Sequence, residues 1–305
     1  MNRRRWLKGG VWMAAGTWCT GAVLAQDSLK SQPGRSANNL KLSLNAYSFN
    51  ALLTKGEMSL DELLGFCAGQ GFQGLDLTAY YFPGYPDVPE DAFLYEVKRK
   101  AHRLGLHISG TGVRNDFTHS DKSKRDKDIQ LVKNWIVAAA KLGAPVLRIF
   151  SGTQPVAEEE WGKVADWMID DIKSCVAFGA QHGVLVALQN HNDFIKTADQ
   201  VNFVVEAVDS KWFGLVLDIG SYSQKEPYEE IARNINHAVS WQIKEKVNHF
   251  GKEEDVDLEK LMRIIKNSGY HGYLPVETLG AGDPYEKVKL FLSRIRDTMK
   301  YHGMF

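Results

Sequence analysis

Residues 184–191 read VLVALQNH, an apolar run that ends in three polar residues. Four more apolar runs end on a polar or charged residue, and stretches with helical periodicity separate all five. The other runs are Val146–Arg148, Gly214–Asp218, Trp241–Lys244 and Tyr273–Glu277. A (β/α)8 barrel builds its active site from polar side chains at the carboxyl ends of its strands. The pattern therefore predicts such a barrel, with a small-molecule site at one end.

The same alternation extends from about Leu40 to about Tyr301 and predicts eight strands and eight helices. Glycines directly follow several predicted helices, as at Gly143, Gly183 and Gly269, which is typical of helix C-caps. An open, doubly wound sheet is the alternative architecture. Eight units in about 260 residues favour the closed barrel. We therefore predict one (β/α)8 TIM barrel domain over residues 40–305, in the α/β class.

Composition excludes several classes of protein. The chain has 305 residues, of which 44% are hydrophobic and 24% charged, values typical of an ordered globular protein. Its formal net charge is +0, which gives no sign of affinity for nucleic acids or membranes. Neither G-x-G-x-x-G nor G-x-x-x-x-G-K-[ST] occurs, so no nucleotide cofactor is predicted.

The N-terminus carries the pattern of an export signal. Residues 3–8 read RRRWLK, which resembles the twin-arginine motif, and an apolar stretch from Val11 to Leu24 is too short to span a membrane. Residues 1–25 are therefore predicted to be a twin-arginine-type signal peptide and residues 26–39 a flexible lead-in. The mature protein would be periplasmic, exported by the twin-arginine machinery and free of the membrane. A general secretory signal and an uncleaved anchor remain alternatives.

Four strand-end side chains are expected to converge at the barrel mouth. They are Gln189, Asp218, Gln242 and Glu277, one from each of four consecutive strands. Each offers an oxygen atom, and two carry a negative charge. Such a set suits a hard divalent cation such as Mg²⁺, Mn²⁺ or Ca²⁺.

Four segments make the chain resemble the xylose isomerase-like barrel superfamily, which includes sugar phosphate isomerases and epimerases, inosose dehydratases and an apurinic endonuclease branch. They read VALQNHNDF (186–194), GLVLDIGS (214–221), WQIKEKV (241–247) and GYLPVETLG (272–280). The resemblance covers about residues 40–300. In the epimerase branch, Glu, Asp, His and Glu at the ends of strands five to eight hold one divalent cation. The resemblance therefore implies a cation, Mn²⁺, Mg²⁺ or similar, at the four positions named above.

Two of those four positions depart from the family pattern. Gln189 replaces a glutamate that is both a ligand and an acid/base group, and Gln242 replaces a histidine ligand. Ser221 also stands where the family often has histidine. Glu277 alone remains as a clear catalytic carboxylate. Epimerisation by two opposed carboxylates is therefore not supported, whereas proton removal beside a polarised carbonyl needs only one base.

Two further residues are candidate catalytic groups. Lys244 shares a strand face with Gln242, and His191 shares one with Gln189, so both are predicted at the barrel mouth. Lys244 would hold an oxyanion or donate a proton, and His191 would replace the missing acid/base partner. The alternatives are a surface lysine and a histidine satisfied by a neighbour.

Five residues are predicted to bind substrate, either its hydroxyl groups or a carboxylate. They are Asn45, Asp76, Arg148, Tyr80 and Arg114, which lie at or after the ends of strands one to four. Tyr80 belongs to an aromatic loop that suits stacking against a sugar face. The alternatives are a salt bridge on the barrel rim for Arg148 and an aromatic loop packed on that rim.

These features predict a metal-dependent enzyme that resembles sugar isomerases and epimerases and removes a proton next to a carbonyl of a sugar or keto-sugar. A 3-keto-sugar lyase or dehydratase and a non-catalytic periplasmic sugar-binding barrel are the alternatives. A nucleic-acid phosphodiesterase is disfavoured, because too few histidines and carboxylates lie at the strand ends to hold several zinc ions and the chain lacks a basic surface signature. The expected partner is a small carbohydrate.

Overall fold

Parallel strands close into a barrel in the computed structural model of the chain, which describes residues 40–191 and 194–304. The predicted signal peptide and lead-in lie outside the described residues, so both stay predictions. The barrel strands are β1 (Leu40–Asn45), β2 (Gly74–Asp76), β3 (His107–Gly112), β4 (Val146–Ile149), β5 (Leu185–Gln189), β6 (Phe213–Asp218), β7 (Ala238–Lys244) and β10 (Gly272–Glu277). Their order around the barrel is β1-β10-β7-β6-β5-β4-β3-β2. The predicted TIM barrel is confirmed.

Helices connect these strands. They are α1 (Asn50–Lys55), α2 (Leu60–Gly69), α3 (Asp91–Arg103), α4 (Lys122–Leu142), α5 (Trp161–His182), α6 (Ala198–Val208), α7 (Pro227–Asn234), α8 (Leu258–Ser268) and α9 (Pro284–Tyr301). A capping box starts α2, where Glu62 N donates to the Ser59 side chain and Ser59 N donates to the Glu62 carboxylate. None of the helices within the described ranges has the length and apolar character that a membrane span requires.

The sequence did not predict one addition to the barrel. An antiparallel hairpin of β8 (Lys246–His249) and β9 (Lys252–Asp255) lies between β7 and α8. Most of its residues are charged, and such residues are depleted in strands, so propensity gave no signal for it. The prediction of strict strand–helix alternation is therefore wrong at this point of the chain.

The two faces of each barrel strand pack differently, and this difference positions the site. Residues such as Leu147, Leu188 and Leu217 belong to the large apolar core that includes the helices. Alternate residues point inward, where Val146, Ala187 and Val216 form a small separate cluster. Two positions after each of these three come Arg148, Gln189 and Asp218. The barrel interior thus changes from apolar to polar at the carboxyl ends of its strands.

Candidate active site at the barrel mouth

A cavity of about 200 Å³ opens at the carboxyl ends of the barrel strands. It is lined by Asn45, Tyr47, Thr78, Tyr80, Arg114, Arg148, Phe150, Gln189, His191, Gln242, Lys244, Glu277 and Leu279. Nine of the eleven residues that the sequence predicts to be catalytic, metal-ligating or substrate-binding are in this lining. The two exceptions are Asp218, which is fully buried next to it, and Asp76.

The predicted convergence of strand-end side chains is present. Gln189 Nε2 donates to Asp218 Oδ2 and to Gln242 Oε1, both at 2.7 Å. Lys244 Nζ donates to the same Asp218 oxygen at 2.7 Å and lies 3.4 Å from Glu277 Oε2. A single network thus joins the ends of β5, β6, β7 and β10, with the Lys244 ammonium between two carboxylates.

Backbone contacts fix Asp218 in place. The Asn190 side chain donates to Asp218 O at 2.9 Å and accepts from Asp218 N at 2.8 Å, which ties the end of β5 to the end of β6. Gly220 N donates to Asp218 Oδ1 at 3.0 Å. A Cβ atom at Gly220 would lie 3.1 Å from Lys244 Cδ, so glycine at this position lets the lysine reach the carboxylate.

The charges of Asp218 and Lys244 stabilise each other. Burial disfavours the ionised carboxylate, but the Lys244 ammonium and the hydrogen bonds from Lys244, Gln189 and Gly220 outweigh burial and hold the pKa of Asp218 below its ordinary value. Burial likewise disfavours the ammonium, yet Asp218 and Glu277 together raise the pKa of Lys244 above its ordinary value. Lys244 is therefore a permanent cation in this site.

Glu277 differs from Asp218 although both carboxylates face the same ammonium. Its Oε2 is buried and lies 3.4 Å from the Lys244 ammonium, a longer contact than the 2.7 Å between Lys244 and Asp218. Burial, with the nearby Asp218 charge, raises the pKa of Glu277 despite the opposing effect of Lys244. A buried carboxylate with a raised pKa is suited to accept a proton.

The four predicted metal ligands come together, but their arrangement does not fit a divalent cation. Asp218 Oδ2 already accepts from Lys244 and Gln189, and Gln242 Oε1 accepts from Gln189. A cation bound to these oxygens would displace the ammonium and turn the Gln189 amide around. Within the described part of the chain, no three His, Cys, Asp or Glu side chains are grouped so that they could hold a metal ion. The chemistry of the site is therefore derived from its side chains.

Arg148 occupies the opposite side of the cavity. It is buried, donates from Nη2 to the Tyr80 hydroxyl at 2.6 Å and from Nη1 to Val113 O at 3.2 Å, and lies over the Phe150 ring at 4.1 Å. Arg114 is exposed, with its guanidinium 5.2 Å from the centroid of the Tyr80 ring. Three predicted substrate-binding residues thus lie side by side.

The three remaining predicted site residues differ in whether they line the cavity. Asn45 lines the cavity, but its side chain also accepts from Tyr47 N at 2.8 Å and so caps the turn that follows β1. His191 lines the cavity beside Phe150, with 5.2 Å between the ring centroids. Asp76 is buried outside the lining, so the structure does not support the prediction that it contacts a substrate.

Sequence reasoning missed several residues of the site. Thr78 and Phe150 line the cavity one or two positions beyond strand ends, and Leu279 does so two positions after Glu277. A rule that includes the two residues after each strand would have found them. Asn190 acts through backbone atoms of a neighbouring strand, and nothing in the sequence pattern signals that contact.

Comparison with known protein families gives the same fold as the structure. The xylose isomerase-like TIM barrel family matches residues 64–295. The chain belongs to that family. This confirms the resemblance that the strand-end segments carried.

Curated relatives cover part of the chain. The alpha subunit of a C-glycoside deglycosidase from Microbacterium trichothecenolyticum is 27% identical over 182 residues, which span 57% of this chain and 45% of the relative. An alpha subunit of the same description from Arthrobacter globiformis is 27% identical over 187 residues, 57% of this chain and 46% of the relative. The match therefore spans less than half the length of each relative.

Solved structures extend the likeness across the barrel. D-psicose 3-epimerase from Clostridium cellulolyticum, crystallised with D-tagatose, has a TM-score of 0.71 at 15% identity and covers 85% of this chain and 99% of its own. The 3-keto-D-glucoside 4-epimerase from E. coli has a TM-score of 0.66 at 14% identity, with coverage of 85% and 99%. Because the sequence identities are this low, the structural similarity shows a shared fold and no more.

Proposed function

We propose that the chain is an enzyme that removes a proton next to the carbonyl of a sugar or keto-sugar, with Glu277 as the base and isomerisation as the reaction. One observation carries this proposal. The buried Glu277 carboxylate lines the cavity with a raised pKa and a fixed cation 3.4 Å away. Base and cation are the two groups that enolisation requires.

The reaction uses the two groups in sequence. Glu277 takes the proton from the carbon beside the carbonyl, and the electron pair of that C–H bond moves into the carbonyl to form an enediolate. The Lys244 ammonium stabilises the developing oxygen anion without first having to reorganise. Glu277 then returns the proton to the adjacent carbon on the same face, while a proton passes from one enediol oxygen to the other. One base completes an aldose–ketose isomerisation in this way.

Epimerisation is less compatible with these side chains. Inversion at one carbon by direct proton transfer needs acid/base groups on both faces of the enediolate. Gln189 holds its amide between Asp218 and Gln242 and does not exchange protons as a carboxylate does. Isomerisation therefore takes precedence over epimerisation in this proposal, and the predicted divalent cation is not part of it.

A lyase is the second candidate, favoured by the match to the alpha subunits of two C-glycoside deglycosidases. The same base can remove the proton beside the carbonyl of a keto-sugar. A substituent on the next carbon then leaves with its bonding electron pair, and a carbon–carbon double bond forms. Glu277 and Lys244 would keep their roles, so this reaction differs from isomerisation in the fate of the enediolate.

Solvent exchange tests both candidates. The purified protein is incubated in D₂O with a panel of aldoses, ketoses and 3-keto-glycosides, and products are followed by NMR. Deuterium in an isomerised product supports isomerisation, and release of the substituent supports the lyase. Glu277→Gln should slow either reaction by about 10²–10⁴-fold. Glu206→Gln is the matched control, because Glu206 is exposed on α6 and lies outside the cavity lining. Binding without exchange on every compound would instead identify a sugar-binding barrel.

A further inference from the structure

Two arginines face the cavity without a carboxylate partner. Among the described residues, no carboxylate lies within ion-pair distance of Arg148 or Arg114, although Arg148 is only 6% exposed. Burial of a guanidinium is costly, and the buried carboxyl groups of Asp76 and Glu277 compensate Arg148 only from beyond ion-pair distance. In contrast, Lys244 is compensated by Asp218 and Glu277. The cations that make no direct ion pair therefore lie on the Arg148 side of the cavity.

The arginine pair is arranged around one tyrosine. The Tyr80 ring centroid is 5.2 Å from the Arg114 guanidinium carbon and 5.8 Å from that of Arg148. Because Tyr80 accepts from Arg148 through its hydroxyl oxygen, its own O–H can donate to a ligand. The three side chains line the cavity that also contains Glu277.

Packing holds Arg148 rigidly. Its guanidinium lies over Phe150, and two of its N–H groups are committed to Val113 O and Tyr80. A Cβ atom at Gly112 would lie 2.6 Å from Arg148 Nε, so glycine at this position lets the guanidinium pack against β3. A planar, immobilised guanidinium with unused donors matches the two oxygens of a carboxylate or phosphate.

We infer that Arg148, Arg114 and Tyr80 form a subsite for an anionic group, a carboxylate or phosphate monoester, at one end of the substrate. This rests on the proposed function in that the remainder of the substrate is a sugar whose reacting carbon lies at Glu277. The substrate is then a sugar acid or a sugar phosphate. Its anionic end fixes the orientation in the cavity, and the carbonyl end meets Lys244 and Glu277.

Binding of inert probes tests the subsite separately from catalysis. Gluconate, glucitol and glucitol 6-phosphate share one carbon chain, and none has the aldehyde or ketone carbonyl on which the proposed enolisation acts. Isothermal titration of the wild-type protein should show gluconate or glucitol 6-phosphate binding at least tenfold more tightly than glucitol. The anion that binds more tightly shows whether the subsite prefers a carboxylate or a phosphate monoester. Added NaCl should weaken the binding of the anions and leave that of glucitol unchanged.

Variants assign the preference to the arginines. Arg148→Met should remove the preference, and Arg114→Gln should reduce it several-fold. Because Arg114 is exposed, its substitution leaves the fold intact even if Arg148→Met does not fold. Arg263→Gln, on the exposed face of α8, is the control and should leave the preference unchanged. Equal affinity for the three probes, no binding of any, or a preference that Arg114→Gln leaves intact would overturn the inference, whatever the exchange assay shows.

Discussion

The ammonium of Lys244 lies 2.7 Å from the buried carboxylate of Asp218, at the centre of the barrel mouth. This pair joins β7 to β6 and holds one positive charge beside the cavity. Removal of one partner from a buried pair leaves an uncompensated charge, which typically costs 3–5 kcal/mol. The pair is therefore important for stability as well as for the proposed chemistry.

Lys244→Met should lower the free energy of unfolding by about 3 kcal/mol, because Asp218 would be left buried without its cation. Urea denaturation at pH 7 measures this loss. Lys211→Met is the control, since Lys211 is exposed. Addition of Asp218→Asn to Lys244→Met should restore most of the lost stability. A loss no larger than that of the control would show that the pair is not coupled.

Metal removal should leave the wild-type protein active on its substrate. The Lys244 ammonium occupies the position between Asp218 and Glu277 where a divalent cation would need to bind. Dialysis against EDTA followed by the exchange assay checks this expectation, with the metal content measured before and after. Loss of activity that Mn²⁺ restores would instead support the ligand set predicted from the sequence.

Lys244→Gln provides the reciprocal measurement. It removes the positive charge and leaves two carboxylates and neutral amide oxygens, a set that hard cations prefer. Titration with MnCl₂ should show tighter binding to this variant than to the wild-type protein. Equal Mn²⁺ affinities would mean that the ammonium does not compete with a cation.

Glu277 should control the acid side of the pH profile. The carboxylate is the active form, so kcat/KM should rise with pH as the group ionises. Burial moves this rise above the ordinary range of a glutamate. Glu277→Gln should lower the exchange rate by about 10²–10⁴-fold and abolish the pH-dependent rise. A rise that persists in this variant would assign the base to another group.

The sequence predicted much of the fold and part of the site, and the side chains at the strand ends show why. Strand alternation placed Gln189, Asp218 and Gln242 on one face, and the closed barrel then brought them within hydrogen-bond distance. The sequence did not predict which carboxylate the Lys244 ammonium contacts most closely, because that contact depends on the positions of side chains from three strands. The position of Asp76 outside the cavity lining was not predictable for a related reason, since a strand end fixes the height of a residue in the barrel but not whether its side chain reaches the cavity.

Export can be tested with the full chain. The twin-arginine machinery requires its arginine pair, so Arg3→Lys combined with Arg4→Lys should retain the protein in the cytoplasm. Cell fractionation and immunoblotting measure the distribution of precursor and mature forms. Unchanged export of the double variant would indicate a general secretory signal instead.

Asp76→Asn should stabilise the protein at neutral pH. Burial raises the pKa of Asp76 from 3.8 to about 6, although Arg148 opposes the shift. Between these two values the folded state binds more protons than the unfolded state, so the contribution of Asp76 to stability falls as the pH rises through this window. Above this pH window, the ionised and buried Asp76 lowers the free energy of unfolding by a constant amount, roughly 3 kcal/mol.

Asparagine keeps the shape of the side chain without the charge and should recover up to about 3 kcal/mol at pH 8. The gain should shrink at pH 5 and vanish well below pH 3.8, because the carboxyl is then protonated in both the folded and the unfolded state. Urea denaturation of both proteins between pH 5 and pH 8 measures the difference. Asp166→Asn, on the exposed face of α5, should show no such trend. A loss at pH 8 would mean that Asp76 is ionised and stabilised by Arg148 in the folded protein, and a gain independent of pH would mean that burial does not raise the pKa of Asp76.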